Sequence, residues 1–248
     1  MRILEGKNAI ITGSRRGIGR ATVEVFAQNG ANVWACARKP DQSFEADMTA
    51  LAEKYGGWIK PVYFDLADET AMKCAVRAIH NEKLPIDILV NNAGIVEQNS
   101  AFLMTPAERI RKVMEINFTS QMIFTQYIAR MMAKKERGSI VFLSSIAGLD
   151  GNPAQLEYVA AKAAIVGAVK KLAIELGESN IRVNAVAPGI IDTDMGNAMQ
   201  NDLMQNILNK SIMKRLGSPV EVANVISFIS SDMASYMTGQ IIRVDGGM

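Results

Sequence analysis

Short apolar runs alternate with longer amphipathic segments along most of the chain. Most of the runs are continuously apolar instead of alternating, which is typical of parallel strands covered on both faces. They predict seven strands, over residues 9–12, 32–37, 59–64, 86–90, 139–143, 182–187 and 241–244. The segments between them have helical spacing and predict helices over 18–29, 41–54, 68–81, 106–135, 155–177 and 219–231.

This regular β-α alternation predicts an α/β fold, a Rossmann-type doubly wound parallel sheet of about seven strands with helices on both faces. No linker, internal repeat or low-complexity tract divides residues 1–248, so a single domain is expected. Gly30 follows the first helix at a position typical of a C-terminal glycine. Residues 105–108 and 218–221 resemble capping boxes with proline at the first helical position.

The segment 189–216 interrupts this rhythm after the sixth predicted strand. It is rich in methionine, with Met195, Met199, Met204 and Met213. A flexible apolar segment at this place fits a substrate lid, but a pair of core-packing helices fits the pattern equally well.

Composition and charge narrow the possible partners. The net charge is +2 with acidic and basic residues interspersed, so no broad surface for nucleic acid is expected. The charged first seven residues do not resemble a signal peptide, and no apolar stretch reaches the roughly 18 residues of a membrane span, so a cytoplasmic protein is expected. Cys36, Cys74 and His80 lack ligand spacing and predict no metal site.

A glycine-rich turn joins the first predicted strand to the first helix. Its spacing, G-x-x-x-G-x-G, differs from the usual dinucleotide fingerprint, and many strand–helix turns need glycine for steric reasons alone. Its position nevertheless favours a pyrophosphate site, because glycine allows close backbone approach and a helix N-terminus attracts anions. The candidate contacts are Gly13, Ser14, Arg16, Gly17, Ile18 and Gly19.

Basic residues follow the second predicted strand, where dinucleotide sites distinguish a ribose 2′-hydroxyl from a 2′-phosphate. Arg38 and Lys39 lie there, and Arg15 and Arg16 lie in the glycine turn. These cations are either solvated loop residues or phosphate ligands, and two clusters meeting at one corner favour NADP(H) over NAD(H).

Further polar groups end the third and fourth predicted strands, at the edge where ligands bind in open α/β sheets. They either line a cofactor cleft or cap the segments that follow. The candidate cofactor contacts are Asp65, Leu66, Asn92, Ala93 and Gly94.

Tyr158 and Lys162 are four residues apart and share one helical face. A nearby ammonium, helped by an oxidised nicotinamide, is expected to lower the pKa of the phenol, so that the pair can act as acid and base. Ser145, after the fifth predicted strand, can hold a substrate oxygen beside the phenol, whereas Ser144 is expected to be structural. Asn117, in a strongly apolar helix, is either a satisfied core amide or the anchor of a water chain to Lys162.

Taken together, these motifs resemble the short-chain dehydrogenase/reductase family over residues 6–248. The resemblance implies hydride transfer with NAD(P)H, Asn117, Ser145, Tyr158 and Lys162 as catalytic residues, and a homotetramer built on two long helices. It also implies that Tyr158 and Lys162 contact the cofactor, and that Pro188, Gly189, Ile191 and Thr193 line the nicotinamide site.

Within the family, residues 184–195 and 236–248 are similar to those of 3-oxoacyl-[acyl-carrier-protein] reductases. We therefore expect NADPH-dependent reduction of a ketone to a secondary alcohol, with a 3-oxoacyl thioester of acyl-carrier protein or coenzyme A as substrate. Glu136 and Ser179 stand where those reductases commonly carry arginines for the carrier, while Lys134, Lys135, Arg137 and Lys171 could substitute for them. A small ketone, polyol or sugar-like substrate, or a non-catalytic NADP(H) sensor, remain the alternatives.

Overall fold

A computed structural model describes residues 2–97, 100–151, 155–197, 204, 208, 209 and 211–248. Its sheet contains β1 (Asn8–Thr12), β2 (Asn32–Ala37), β3 (Ile59–Tyr63), β4 (Ile88–Asn91), β5 (Gly138–Leu143), β6 (Ile181–Pro188) and β7 (Ile241–Val244). All neighbours pair in parallel, in the order β3-β2-β1-β4-β5-β6-β7. The predicted doubly wound parallel sheet is confirmed, and its strand order reverses between β1 and β4, where such sheets bind ligands.

The helices are α1 (Gly17–Gln28), α2 (Gln42–Tyr55), α3 (Glu69–Asn81), α4 (Ala107–Met114), α5 (Ser120–Ala133), α6 (Ala147–Asp150), α7 (Leu156–Gly177), α8 (Asp194–Asn197) and α9 (Pro219–Ser230). One core cluster joins the sheet to α1, α2 and α9, and a second joins it to α3, α5 and α7. Adjacent residues of β1 enter opposite clusters, Ile10 the second and Ile11 the first. Burial on both faces explains the continuous apolar runs.

The predicted helix over 106–135 is wrong in its continuity. A π-helical turn, Glu115–Thr119, separates α4 from α5. Such a turn adds one residue to the helix without changing its apolar character, so hydrophobic spacing does not reveal it. The other predicted elements differ from the observed bounds by at most two residues.

The two predicted capping boxes have different outcomes. At α9, Ser218 Oγ accepts from the Glu221 N–H at 3.3 Å and the Glu221 carboxylate accepts from the Ser218 N–H at 2.7 Å, with Pro219 first in the helix. At α4 the prediction is wrong, because Pro106 is itself the N-cap residue. The Thr105 hydroxyl instead donates to the Ala101 carbonyl at 3.1 Å.

Gly30 has a φ of +89°, as its predicted position after α1 requires. Met195 and Met213 of segment 189–216 are 45% and 58% exposed, so these two do not pack in the core. Met199 lies outside the described residues, and the lid remains a prediction. No helix in the described part of the chain is long and apolar enough to cross a membrane.

Candidate active site

The glycine turn packs against the end of β4. Asn92 Nδ2 donates to the carbonyls of Thr12 and Gly13, at 2.9 and 3.2 Å. A Cβ on Gly19 would lie 2.1 Å from the Gly13 carbonyl oxygen, so the turn itself requires glycine there. The steric explanation and a phosphate site are therefore compatible at this position.

The start of α1 has the features of an anion site. Its N-cap residue, Arg16, makes no side-chain capping bond, so the first backbone N–H groups have no side-chain partner at the cap. Ser14, two residues before Arg16, is held by its own bonds, its N–H donating to the Cys36 carbonyl and its hydroxyl to the Ile11 carbonyl. These residues fit the pyrophosphate of a dinucleotide.

Two carboxylates lie at the basic corner, Asp41, which is three residues after Arg38, and Asp194, which only tertiary contacts bring there. Arg15 forms an ion pair with Asp41, and Arg16 Nη1 lies 2.9 Å from Asp194 Oδ2. Asp41 also caps α2, and its hydrogen bond from the Ser43 hydroxyl is the largest cause of a lowered pKa. Arg38 is exposed and belongs to none of the ion pairs among the described residues.

The residues after β3 mainly serve the fold. Asp65 Oδ1 accepts from the Ala67 N–H at 3.0 Å, a local turn bond, while Leu66 is 8% exposed and packs in the second core cluster. The helix that follows is capped by Asp68, so Asp65 does not cap it, and the cofactor contacts of Asp65 and Leu66 remain predictions.

Thr12 organises the floor of the site, a role that its sequence position did not reveal. Its Oγ1 accepts from the N–H groups of Asn92 and Ala93, both at 3.0 Å. The Ala93 carbonyl accepts from the buried Gln121 at 2.7 Å, so the backbone of Ala93 is held through both its N–H and its carbonyl. The threonine before Gly13 was the only available signal.

Asn117 lies in the π-helical turn and is fully buried. Its side-chain amide accepts from the Ile95 N–H and donates to the Ile95 carbonyl, both at 2.8 Å. A Cβ on Gly94 would lie 3.2 Å from Asn117 Oδ1 and 3.8 Å from Lys162 Nζ. The amide is therefore satisfied by the backbone, and Gly94 leaves the space between it and the lysine open.

Tyr158 and Lys162 lie on the first turns of α7, with the Lys162 Nζ 5.6 Å from the centroid of the Tyr158 ring. The Tyr158 hydroxyl is hydrogen-bonded to Ser145, which follows β5. Ser144 Oγ donates to the Lys162 carbonyl at 2.9 Å, in agreement with the structural part expected of it.

The titration of this pair differs from the sequence expectation. Although Tyr158 is partly exposed at the cleft surface, desolvation raises the pKa of its phenol, and the Ser145 hydrogen bond opposes that rise. In the protein alone the pKa of Tyr158 therefore does not fall below its usual value, because burial has the largest effect on it. Burial also lowers the pKa of Lys162 to about 8.

The end of β6 closes the other side of the site. The Pro188 carbonyl accepts from the Ile146 N–H and the Gly189 N–H donates to the Val244 carbonyl, at 3.1 and 3.0 Å. Ile191 is 6% exposed, and the Thr193 methyl carbon would lie 3.2 Å from a Cβ on Gly17. The predicted residues of both cofactor halves thus lie along one edge of the sheet.

Arg243 is a further residue at this edge that sequence spacing could not indicate. Its Nη1 and Nη2 donate to both oxygens of Asp150, at 2.9 and 2.8 Å, across 93 positions of sequence. Its Nε donates to Asp245 at 2.7 Å. The guanidinium of Arg243 thus joins β7 to α6, the helix that follows Ser145.

The hydroxyls of Ser145 and Tyr158 and the buried ammonium of Lys162 are able to hold a carbonyl oxygen and transfer a proton to it. A family model described as enoyl-(acyl carrier protein) reductase matches residues 13–248. With this match and the relatives below, the chain belongs to the short-chain dehydrogenase/reductase family.

The relatives within that family are similar to it over nearly their whole length. The 3-oxoacyl-[acyl-carrier-protein] reductase FabG of Aquifex aeolicus is 40% identical over 245 residues, covering 99% of this chain and 98% of that protein. The enzyme of the same name from Escherichia coli K12 is 38% identical, with 98% of each chain covered. A crystal structure of a 3-oxoacyl-[acyl-carrier protein] reductase from Brucella melitensis has 34% identity and a TM-score of 0.89, covering 100% and 92% of the two chains. A second, with bound NAD, has a TM-score of 0.87.

Proposed function

We propose that this protein is an NADPH-dependent reductase that converts the ketone of a 3-oxoacyl thioester into a secondary alcohol. The hydrogen-bonded hydroxyls of Ser145 and Tyr158 beside the buried Lys162 carry this proposal. Two hydroxyls that converge can bind and protonate one oxygen, as reduction of a carbonyl requires. Similarity to 3-oxoacyl reductases over 98% or more of this chain supports the same substrate class.

The proton chemistry follows from the environment of each side chain. When bound, the reduced nicotinamide supplies the hydride for the carbonyl carbon. Ser145 donates a hydrogen bond to the carbonyl oxygen, and Tyr158 transfers its proton to that oxygen as negative charge develops there. The phenol is protonated at neutral pH, as a proton donor must be, and the Ser145 hydrogen bond opposes the rise in its pKa that burial causes. Lys162 orients the hydroxyls of Ser145 and Tyr158 and contacts the cofactor ribose. Asn117 fixes the backbone at Ile95.

The cofactor is held along the same edge of the sheet. The open N-terminus of α1, after Gly13 and Ser14, binds the pyrophosphate. Arg38 and Arg16 bind the 2′-phosphate, where a guanidinium fork makes strong charge-assisted bonds. Arg16 exchanges its exposed partner Asp194 for the phosphate, a small cost for a pair of this exposure.

The carrier of the acyl group is acyl-carrier protein or coenzyme A. Of the cations that could receive an acidic carrier, Arg137 lies 2.8 Å from the buried Asp87 and Lys171 pairs with Glu175. Lys134 and Lys135 are exposed and remain the better candidates. Assembly into a homotetramer through the two long helices is also proposed, supported by Ile174 of α7, which is 74% exposed.

The test is the loss of NADPH absorbance, with NADH in parallel, when the protein is mixed with acetoacetyl-coenzyme A. Rapid oxidation selective for NADPH is the expected result, and comparison with the carrier-protein thioester then identifies the carrier. NADPH binding without turnover of either thioester would overturn the substrate class. In that case, small ketones and alcohols would be screened as substrates. Turnover of one of them would indicate a different reductase, and turnover of none would indicate a cofactor-sensing protein.

A further inference from the structure

Glu157, the residue before Tyr158, carries a charge in the protein interior. It is 1% exposed, and neither carboxylate oxygen accepts a hydrogen bond from the described residues. Its Oε1 lies 2.9 Å from Nε of Arg109, a side chain that is itself only 17% exposed. Arg109 lies in α4 and Glu157 in α7. Because removing one member of a buried ion pair leaves the other uncompensated, this contact constrains the two helices more than a surface pair would.

The helix that carries Tyr158 begins without the usual side-chain cap. The N-cap residue of α7, Gln155, has a left-handed backbone (φ 58°, ψ 46°) and makes no capping hydrogen bond. The N–H groups of Tyr158 and Val159 both donate to its carbonyl at 3.0 Å. Glu157, in this first turn, interacts favourably with the helix dipole as well as with Arg109. The ion pair thus stabilises the start of α7, where a side-chain cap is missing.

Arg109 also reaches the segment that leads from β4 into α4. Its Nη2 is hydrogen-bonded to Ser100 Oγ and lies 3.5 Å from Thr105 Oγ1. From the other side, Gln155 Nε2 donates to the Glu97 carbonyl at 3.3 Å. The start of α7 is therefore attached to the β4–α4 segment directly through Gln155 and indirectly through Arg109 of α4. Ile95 of that segment is in turn bonded to Asn117.

We propose that Arg109 and Glu157 are positioning residues that hold the first turn of α7, and with it the Tyr158 hydroxyl, in reach of Ser145. The expected effect on turnover rests on the proposed reductase function. The expected effect on the order of the first turn of α7 does not. Neither side chain touches substrate; they act through the helix start. A displacement near 1 Å at the reacting groups is enough to lower turnover about 100-fold.

The test uses Glu157→Gln, which removes the charge and keeps the shape. Its matched control is Glu175→Gln, the same change on the same helix at an exposed pair with Lys171. The first measurement is amide hydrogen exchange at Tyr158 and Val159, without substrate. We expect at least about fivefold faster exchange in Glu157→Gln and no change in the control, since local opening sets these rates.

The second measurement is kcat and KM with acetoacetyl-coenzyme A, per NADPH-binding site, so that unfolded protein does not count. We expect kcat to fall about tenfold or more with a smaller change in KM, as for a misplaced proton donor. Arg109→Lys, which keeps a cation, should give an intermediate kcat and serves if Glu157→Gln folds poorly.

The proposal would be overturned if Glu157→Gln and Glu175→Gln had the same amide exchange rates at Tyr158 and Val159 and the same kcat. If wild-type protein does not reduce acetoacetyl-coenzyme A, the proposed function fails, yet the exchange comparison still decides whether the pair holds the helix start.

Discussion

Lys162 Nζ donates a 2.6 Å hydrogen bond to the carbonyl oxygen of Leu143, the last residue of β5. Ser145 follows two residues later, and Tyr158 stands one turn before Lys162 on α7. The bond therefore couples the helix bearing the phenol to the strand that delivers the serine. Lys162 is only 4% exposed, so a lost hydrogen bond here would be costly.

The first prediction concerns the buried lysine and pH. Lys162 has a pKa of about 8 in the folded protein and 10.5 as its ordinary value. Below pH 8 both states bind the proton and above 10.5 neither does; in between, the unfolded state binds more protons. The free energy of unfolding therefore gains about 1.4 kcal/mol per pH unit from this residue as pH rises through that window.

Lys162→Met lacks this gain. The difference in free energy of unfolding between wild type and variant should therefore increase by about 3 kcal/mol between pH 8 and 10.5. Urea unfolding at several pH values measures the difference. Lys171→Met, at an exposed lysine on the same helix, is the control. A pH-independent difference for Lys162→Met, or an equal rise for the control, would contradict burial as the cause.

The second prediction concerns the proton donor. Tyr158→Phe removes the hydroxyl that is hydrogen-bonded to Ser145 and keeps the ring. We expect turnover to fall at least about 100-fold, the scale of general acid–base catalysis, while NADPH binding stays nearly intact. Steady-state turnover and fluorescence titration of NADPH measure the two effects. Full activity in the variant would refute the assignment of Tyr158 as acid.

The third prediction concerns the cofactor phosphate. Arg38→Asp should weaken NADPH binding about 10- to 100-fold, the value of a charge-assisted hydrogen bond, and change NADH binding much less. Arg77→Asp, an exposed arginine of α3, is the control for the change in net charge. Dissociation constants for both cofactors decide the matter. Equal losses for NADPH and NADH would exclude a 2′-phosphate contact at Arg38.

The fourth prediction concerns close packing in the glycine turn. An alanine at position 19 would place its Cβ 2.1 Å from a backbone oxygen, so the turn must shift. We expect Gly19→Ala to lower the free energy of unfolding by about 1–3 kcal/mol, the range for overpacking, and to weaken NADPH binding. Thermal unfolding and NADPH titration measure both.

Gly167→Ala is the matched substitution inside α7, where an added Cβ meets nothing within 4 Å. It should raise the free energy of unfolding by about 0.5–1 kcal/mol, because glycine is costly in a helix interior. A Gly19→Ala variant as stable as Gly167→Ala would show that the turn relaxes without cost.

Several parts of this protein could be predicted from sequence because they depend on local pattern. The apolar runs predicted all seven strands, since strands covered on both faces have no polar side to display. Ser218 and Glu221 form their predicted capping box because both partners lie within four residues. The π-helical turn around Asn117 was missed, as its insertion leaves the apolar spacing almost unchanged.

By itself the sequence determined the doubly wound sheet, the family, and the candidate tyrosine, lysine and serine. The tertiary structure decided which groups meet and how they titrate. It paired Arg15 with Asp41 and brought Asp194 to the basic corner, Glu157 to Arg109, and Asp150 to Arg243. In the protein without cofactor, it also gave the Tyr158 pKa the direction opposite to the one expected from the lysine. Ion pairs between distant segments and the desolvation of a side chain arise only when the chain packs, so no local pattern encodes them.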